Sequence, residues 1–218
     1  MQEKEDRFLF ARWGMVERDL KGKGIKDERV LGAMGQVPRE EFVPEKYQGQ
    51  AYADCPLPIG MGQTISQPYI VALMTQELNV TEECEVLEIG TGCGYQTAVL
   101  SMLAKKVYTA ERFSELSEGA QAVLGRLGIR NVQFYVGDGS RGWPEKRTFE
   151  RIMITAAVPA MPEPVVEQLA EGGIIVAPVG GEVMQNLVAG RKVRGELQTM
   201  VICGCRFVRL VGEYGFGE

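Results

Sequence analysis

Three glycines at alternate positions, Gly90, Gly92 and Gly94, follow the apolar run Val86-Leu87-Glu88-Ile89 and lead into Tyr95. A second apolar run, Val107-Tyr108-Thr109-Ala110, ends on an acid, Glu111. Glycines so placed let the backbone approach a ligand that any Cβ would hold off. A carboxylate at the end of the next strand is acceptor-only and takes both hydroxyl hydrogens of a ribose. Glu111 stands 17 residues beyond Gly94, near the roughly 20-residue offset of a ribose-binding acid. The pattern is that of a nucleoside-binding strand–helix–strand unit.

The glycine spacing separates the nucleosides. Dinucleotide sites use G-x-G-x-x-G and place a pyrophosphate on the helix N-terminus. Here the pattern is Gly90-Thr91-Gly92-Cys93-Gly94, and Glu88 precedes it. An anionic neighbour disfavours phosphates and suits a ligand bearing an ammonium and a sulfonium, which points to S-adenosylmethionine. Asp138-Gly139 follows the apolar run 132–136; the acid is placed to accept from an adenine amino group, and the glycine leaves room for a flat base. The segment from Leu57 to Pro68 carries Thr64, Ile65, Ser66 and Gln67 directly before a helix start. Free N–H groups and the positive end of the helix dipole make that a carboxylate site, with Ser66 and Thr64 as added hydroxyl donors. Asp54 is a second acid beside this segment, placed to organise the loop or a bound peptide.

These residues need a scaffold, and the flanking patterns describe one. Leu9, Trp13, Val16 and Leu20 predict one face of an N-terminal helix ending near Gly22 and Gly24. Asp27 caps a second helix, stopped by Pro38. The stretch 38–68 reads as a long ordered loop, and Ser66 with Pro68 as the cap and first turn of a helix to Leu78. Strands are expected at 86–89, 106–110, 132–136, 151–155 and 174–178, alternating with helices at 95–104, 114–127 and 163–170. Antiparallel strands follow at 185–191 and 197–211, with Gly190 and Gly195 flanking their turn. The fold class is therefore α/β: a doubly wound, mostly parallel, Rossmann-like sheet with an N-terminal helical extension and C-terminal antiparallel strands. One domain spans 1–218, with helices and loop in 1–80 and the nucleoside-binding core in 81–218. Ligands of such sheets bind outside the strand carboxyl ends, where Gly90, Glu111, Asp138 and Thr155 all fall.

Composition narrows the partners. The chain has 218 residues, 45% of them hydrophobic, and a net charge of −5. Its acids and bases are interspersed, with no basic stripe to neutralise a phosphate backbone, so nucleic acid is not expected as a substrate. No apolar run reaches the length of a membrane span, and the charged start Met1–Arg7 lacks a signal core, which predicts a cytosolic protein. A monomer is the default. Five cysteines without finger spacing predict reduced thiols, with Cys203 and Cys205 sharing a strand face, and no metal site. Histidine is absent altogether, which removes the usual general base and the commonest metal ligand.

At the level of whole motifs the chain resembles the protein-L-isoaspartate O-methyltransferases. The resemblance rests on Val37-Pro38-Arg39-Glu40-x-Phe42-Val43-Pro44, Ala51-Tyr52-x-Asp54 and Leu57-Pro58-Ile59-Gly60-x-Gly62-Gln63-Thr64-Ile65-Ser66-Gln67-Pro68. It continues through the glycine run, Asp138-Gly139-x-x-Gly142-Trp143, Thr155-Ala156-Ala157, Pro178-Val179-Gly180 and Phe207-Val208-x-Leu210. It implies methyl transfer from S-adenosylmethionine to the free α-carboxyl of L-isoaspartyl, and some D-aspartyl, residues in damaged proteins. It further implies Ser66 as the active-site residue. Gly90, Thr91, Gly92, Gly94, Glu111, Asp138 and Gly139 become cofactor contacts, with Thr64, Ile65 and Gln67 beside them. Met61, where bacterial relatives often carry histidine, and Arg209, where proline is usual, depart from the pattern and bear on peptide preference. The reaction fits the missing histidine, because a carboxylate is already ionised at neutral pH. The alternatives are another methyltransferase of the same cofactor acting on a small molecule or tRNA, a non-catalytic nucleoside-binding protein and, least suited to the glycine spacing, an NAD-dependent oxidoreductase.

Overall fold

The computed structural model describes residues 2–217, with side chains from Asp6 onward; Met1 and Glu218, the ends of the expected single domain, lie outside the described residues. The chain opens with α1 (Gln2–Gly14), a π-helical continuation Met15–Leu20 and α2 (Glu28–Gln36). Asp27 caps α2 by accepting from the Arg29 N–H. Two 3₁₀ turns, Arg39–Phe42 and Glu45–Gln50, lead to strands β1 (Leu57–Gly60) and β2 (Gln63–Ile65), then helix α3 (Pro68–Leu78). The core follows as β3 (Glu85–Ile89), α4 (Tyr95–Ser101), β4 (Lys106–Glu111), α5 (Ser114–Arg126), β5 (Val132–Val136), β6 (Phe149–Ile154), α6 (Glu163–Glu167), β7 (Leu169–Gly180), β8 (Gln185–Val193) and β9 (Glu196–Cys205).

Seven strands form one sheet in the order β5-β4-β3-β6-β7-β8-β9. The first five are parallel and the last two antiparallel, which is the mixed doubly wound sheet expected. Strand order reverses at β3, so the crevice forms where β3 and β6 part company at their carboxyl ends. Alternation of side chains across the strands builds two cores. Val86, Val107, Met153 and Val176 pack with α3, α4 and the N-terminal helices on one face. Leu87, Tyr108, Ile152 and Ile175 pack with Trp143, Phe149 and Val165 on the other. Among the described residues no helix is long and apolar enough to cross a membrane.

Several elements differ from expectation. The stretch 57–65 is not a plain loop but an antiparallel hairpin, Leu57 pairing with Ile65, turned by Met61 and Gly62 at φ 50 and 70. Leu9 and Trp13 are exposed, while Phe8, Met15, Val16 and Leu20 are buried. The π-helical turn between them adds a residue per turn, so a face drawn at 3.6 residues does not carry across it. Gly190 lies inside β8 opposite Thr199; the β8–β9 turn is made by Arg194 and Gly195. A Cβ at Gly190 would stand 3.0 Å from Leu197 and 3.1 Å from Ile175, so this glycine serves close packing. Cys203 and Cys205 are free, half-buried thiols on β9.

Candidate functional site

A cavity of 790 Å³ opens at the carboxyl ends of β3, β4 and β6. The glycine loop forms one wall through Gly90, Thr91 and Gly92, with Glu111 at the end of β4; Thr64, Ile65 and Ser66 from the hairpin form another. The two walls touch, since a Cβ on Gly92 would lie 3.4 Å from Ile59 Cδ1.

The glycine loop is held from below. The hydroxyl of Thr155 donates to Gly90 O at 2.5 Å. Glu88 Oε2 accepts from Thr97 Oγ1 at 2.5 Å and Thr109 Oγ1 at 2.7 Å. Because Thr109 spends its proton on Glu88, its 2.6 Å contact with Thr91 Oγ1 makes Thr91 the donor there. The relay Thr91→Thr109→Glu88 therefore ties the loop to the sheet. Glu88 is fully buried on the α4 face and does not line the cavity. The expectation that it meets the ligand is corrected: its strand parity turns it under the loop. Burial pushes its carboxyl up to about 7, against the two threonine hydroxyls.

Glu111 does face the cavity. Its Oε2 accepts from Gly92 N–H at 2.8 Å and its Oε1 from Phe113 N–H at 3.0 Å. Two backbone donors fix the carboxylate and leave lone pairs for a ribose. Gly94 sits deeper, at φ 88, where a Cβ would lie 2.7 Å from Leu124 Cδ1 and 2.9 Å from Ala120 Cβ; it brings α4 against α5. Cys93 lines the cavity, but burial pushes its thiol up to about 11, so it stays neutral.

Asp138 and Gly139 stand just past β5 and are not part of the cavity lining. Asp138 Oδ1 accepts from the Ser140 N–H and hydroxyl at 2.9 and 2.6 Å, and Oδ2 from Glu213 N–H at 2.9 Å. Burial works against its charge, yet those hydrogen bonds win and hold its carboxyl below the usual range. Its clear work is to pin the C-terminal segment, and Gly139 packs where a Cβ would meet Ile89 at 2.6 Å.

Ser66 is half-buried, and its hydroxyl makes no hydrogen bond within the described residues. It is not the cap of α3; Gln67 holds that position, without a side-chain bond. The cap comes from Asp54 instead, whose Oδ1 accepts from Tyr69 N–H at 2.9 Å while Oδ2 pairs with Lys23 at 2.5 Å. Asp54 and Gln67 do not line the cavity, so of its two expected roles Asp54 fills that of organising the loop, and the structure does not bring it to the reacting centre. Arg206 through Val211 also line the cavity, a contribution that sequence reasoning reached only as the closing Phe207-Val208-x-Leu210 motif. Arg209 pairs there with Glu182 at 3.6 Å, and Met61 is exposed at the hairpin tip.

Comparison with known proteins gives a consistent result. Residues 14–215 match the family model described as Protein-L-isoaspartate(D-aspartate) O-methyltransferase (PCMT). A protein-L-isoaspartate O-methyltransferase of Desulfosudis oleivorans is 50% identical over 218 residues, covering 100% of this chain and 99% of its own. One of Geobacter metallireducens is 50% identical over 211 residues, covering 96% and 98%. Among solved structures, a protein-L-isoaspartate O-methyltransferase superposes with TM-score 0.85 at 31% identity, covering 94% of this chain and 67% of that one. A Plasmodium falciparum beta-aspartate methyltransferase (PCMT) in complex with S-adenosyl-L-homocysteine superposes with TM-score 0.81 at 26% identity, covering 92% and 98%.

Proposed function

Because this chain belongs to the protein-L-isoaspartate(D-aspartate) O-methyltransferase family, we propose a division of that family's reaction among its own residues. The protein is an S-adenosylmethionine-dependent protein-L-isoaspartate O-methyltransferase, methylating the free α-carboxyl of isoaspartyl residues in damaged proteins. When bound, S-adenosylmethionine supplies an electrophilic methyl group on a sulfonium. The cavity suits it: the glycine wall presents backbone rather than side chains, and Glu111 is oriented by two N–H donors.

Glu111 accepts the ribose hydroxyls, Gly90, Thr91 and Gly92 form the bed of the cofactor, and Gly94 sets the depth of that bed. Asp138 and Gly139 hold the adenine end by positioning the segment that follows. Ser66, with Thr64 and Ile65 beside it, donates to the substrate carboxylate and orients it, while Gln67 and Asp54 keep the start of α3 in place. No general base enters, since the carboxylate arrives ionised. Tyr95, Phe207 and Val208 line the same cavity and exclude water, which favours a reaction in which anion and cation neutralise one another. One domain does this work as a cytosolic monomer, on protein substrates with some D-aspartyl residues among them and without nucleic acid or membrane; the net charge of −5 supports that reading.

The observation that carries the assignment is a serine hydroxyl that makes no hydrogen bond among the described residues, on the wall facing the glycine loop and Glu111. The test is methyl transfer from labelled S-adenosylmethionine to matched isoaspartyl and aspartyl peptides. Base-labile label appears on the isoaspartyl peptide alone. Ser66→Ala lowers kcat at least tenfold, about 1.4 kcal/mol, and leaves S-adenosylhomocysteine affinity unchanged; a fully active variant would remove Ser66 from this role.

A further inference from the structure

Arg39 opens the 3₁₀ turn Arg39–Phe42 and is wholly buried. Its Nε donates to Ala51 O at 2.6 Å and its Nη2 to Ser66 O at 2.7 Å. The guanidinium lies 4.7 Å from the centroid of the Tyr95 ring, and Nη1 has no hydrogen-bond partner among the described residues. No ion pair involving Arg39 occurs among those residues, and its electrostatic neighbours are Tyr95, Cys93 and Tyr52 rather than carboxylates. The adjacent Glu40 is already taken by Arg12, at 3.0 Å, and by the Tyr52 hydroxyl.

A buried charge without a counter-ion is costly, and an apolar side chain of similar volume generally serves stability better. What Arg39 provides is geometry. Ala51 and Ser66 bracket the substrate hairpin, and Tyr95 is the first residue of α4, directly after the glycine loop. One planar, forked group thus joins both ends of the substrate segment to the base of the cofactor segment; a lysine in its place keeps the charge and reaches one of the two carbonyls, and so does part of this work. Of the two carboxylates the reaction brings to the cavity, the substrate's and that of the methionine moiety of S-adenosylmethionine, the one assigned to this wall is the substrate's. Resting on the reading of Ser66 as the group that orients that carboxylate, we propose that Arg39 is the positioning residue of the substrate site. It draws the Ser66 carbonyl inward, sets the hydroxyl against the cofactor loop and biases the wall toward an anion.

The test compares Arg39→Met and Arg39→Lys with the wild-type chain, measuring kcat and KM for an isoaspartyl peptide, S-adenosylhomocysteine affinity by calorimetry and Tm. In Arg39→Met, kcat/KM falls at least a hundredfold while the S-adenosylhomocysteine Kd changes less than threefold. Arg39→Lys, which keeps the charge and one donor, regains at least tenfold of that loss. If Arg39→Met does not fold, Arg39→Lys is measured below its Tm, where a drop in kcat/KM at unchanged Kd carries the same conclusion. The proposal is overturned by near wild-type kcat/KM in the folded variants, by proportional loss of activity and cofactor affinity, or by a lysine variant no better than methionine. Ser66→Ala, run in parallel, keeps the carbonyl that Arg39 holds. Full activity there removes the Ser66 reading and this proposal with it; an impaired Ser66→Ala beside active Arg39 variants removes only the proposal.

Discussion

At Glu111, proposed as the ribose acceptor, the carboxylate is oriented by the protein itself, since Gly92 and Phe113 N–H groups each engage one of its oxygens. The same two bonds mean that the side chain serves the loop and the ligand together. Glu111→Gln keeps the size but replaces one oxygen by a donor and removes the charge-assisted bonds. Such bonds contribute about 1.5–3 kcal/mol when the acceptor is ionised. The expected result is a tenfold to hundredfold weaker S-adenosylhomocysteine affinity by calorimetric titration. The effect on kcat at saturating cofactor is small, since the ribose hydroxyls take no part in the bond that breaks or the bond that forms. An unchanged Kd would reduce Glu111 to a staple for the loop. The neighbouring case of Glu88 shows what residue type alone does not convey. Both acids lie in β-strands that end at the site, but Glu88 falls within its strand and on the face covered by α4, while Glu111 ends its strand and turns outward. Spacing alone supported both as ligand contacts; orientation and the threonines beneath the loop separate them.

At the scale of elements, the run β3–α4–β4–α5–β5 was legible because apolar runs, turn glycines and the 3.6-residue period agree there at every step. The hairpin β1–β2 was not, because its strands span four and three residues and one contains Pro58, too short to display alternation. The α1 face was misread because a π-helical turn changes the period mid-helix. The role of Arg39 was hidden for another reason: it depends on two carbonyl oxygens, which no side-chain pattern reveals. The contact between α4 and α5 yields a pair of opposed predictions. Gly94→Val places branched carbon at φ 88, into contacts of 2.7 and 2.9 Å with Leu124 and Ala120, and should cost about 2 kcal/mol or more. Gly119, exposed on the same α5 with nothing within 4 Å of a Cβ, should gain about 0.5–1 kcal/mol as alanine. Urea denaturation measures both; equal effects of one sign would show that close packing at Gly94 does not govern the pair.

For the molecule as a whole, the sheet with a core on each face encloses a carboxyl that prefers to be neutral. Burial raises Glu88 from 4.5 in the unfolded chain to about 7, the Thr97 and Thr109 hydroxyls oppose the rise, and the charge of Glu111 adds to it. A raised acid makes the folded state hold a proton that the unfolded chain releases between those two values. Its contribution is complete below pH 4.5 and is lost as pH rises through 7, a change of ~3 kcal/mol. Asp27 and Asp138 act in the opposite sense. Burial opposes their ionisation, but hydrogen bonds from Arg29 and from Ser140 and Glu213 win and lower both from 3.8. They stabilise the fold above that value and cease to do so as pH falls through their folded pKa. The two windows do not overlap, so Tm is expected to peak at about pH 4, between them, and to decline from there to about pH 7. Glu88→Gln keeps an oxygen to accept from both threonines and has no charge to bury. It should raise Tm at pH 8 and flatten the slope between about pH 4 and 7, leaving the acid limb unchanged. A wild-type Tm independent of pH across that range, or an undiminished slope in Glu88→Gln, would mean that the carboxyl titrates elsewhere. Since Glu88 also anchors Thr91 through Thr109, the same titration should leave the cofactor loop in place. The hydroxyl relay donates toward the carboxyl in either protonation state, and S-adenosylhomocysteine affinity should stay level where Tm does not.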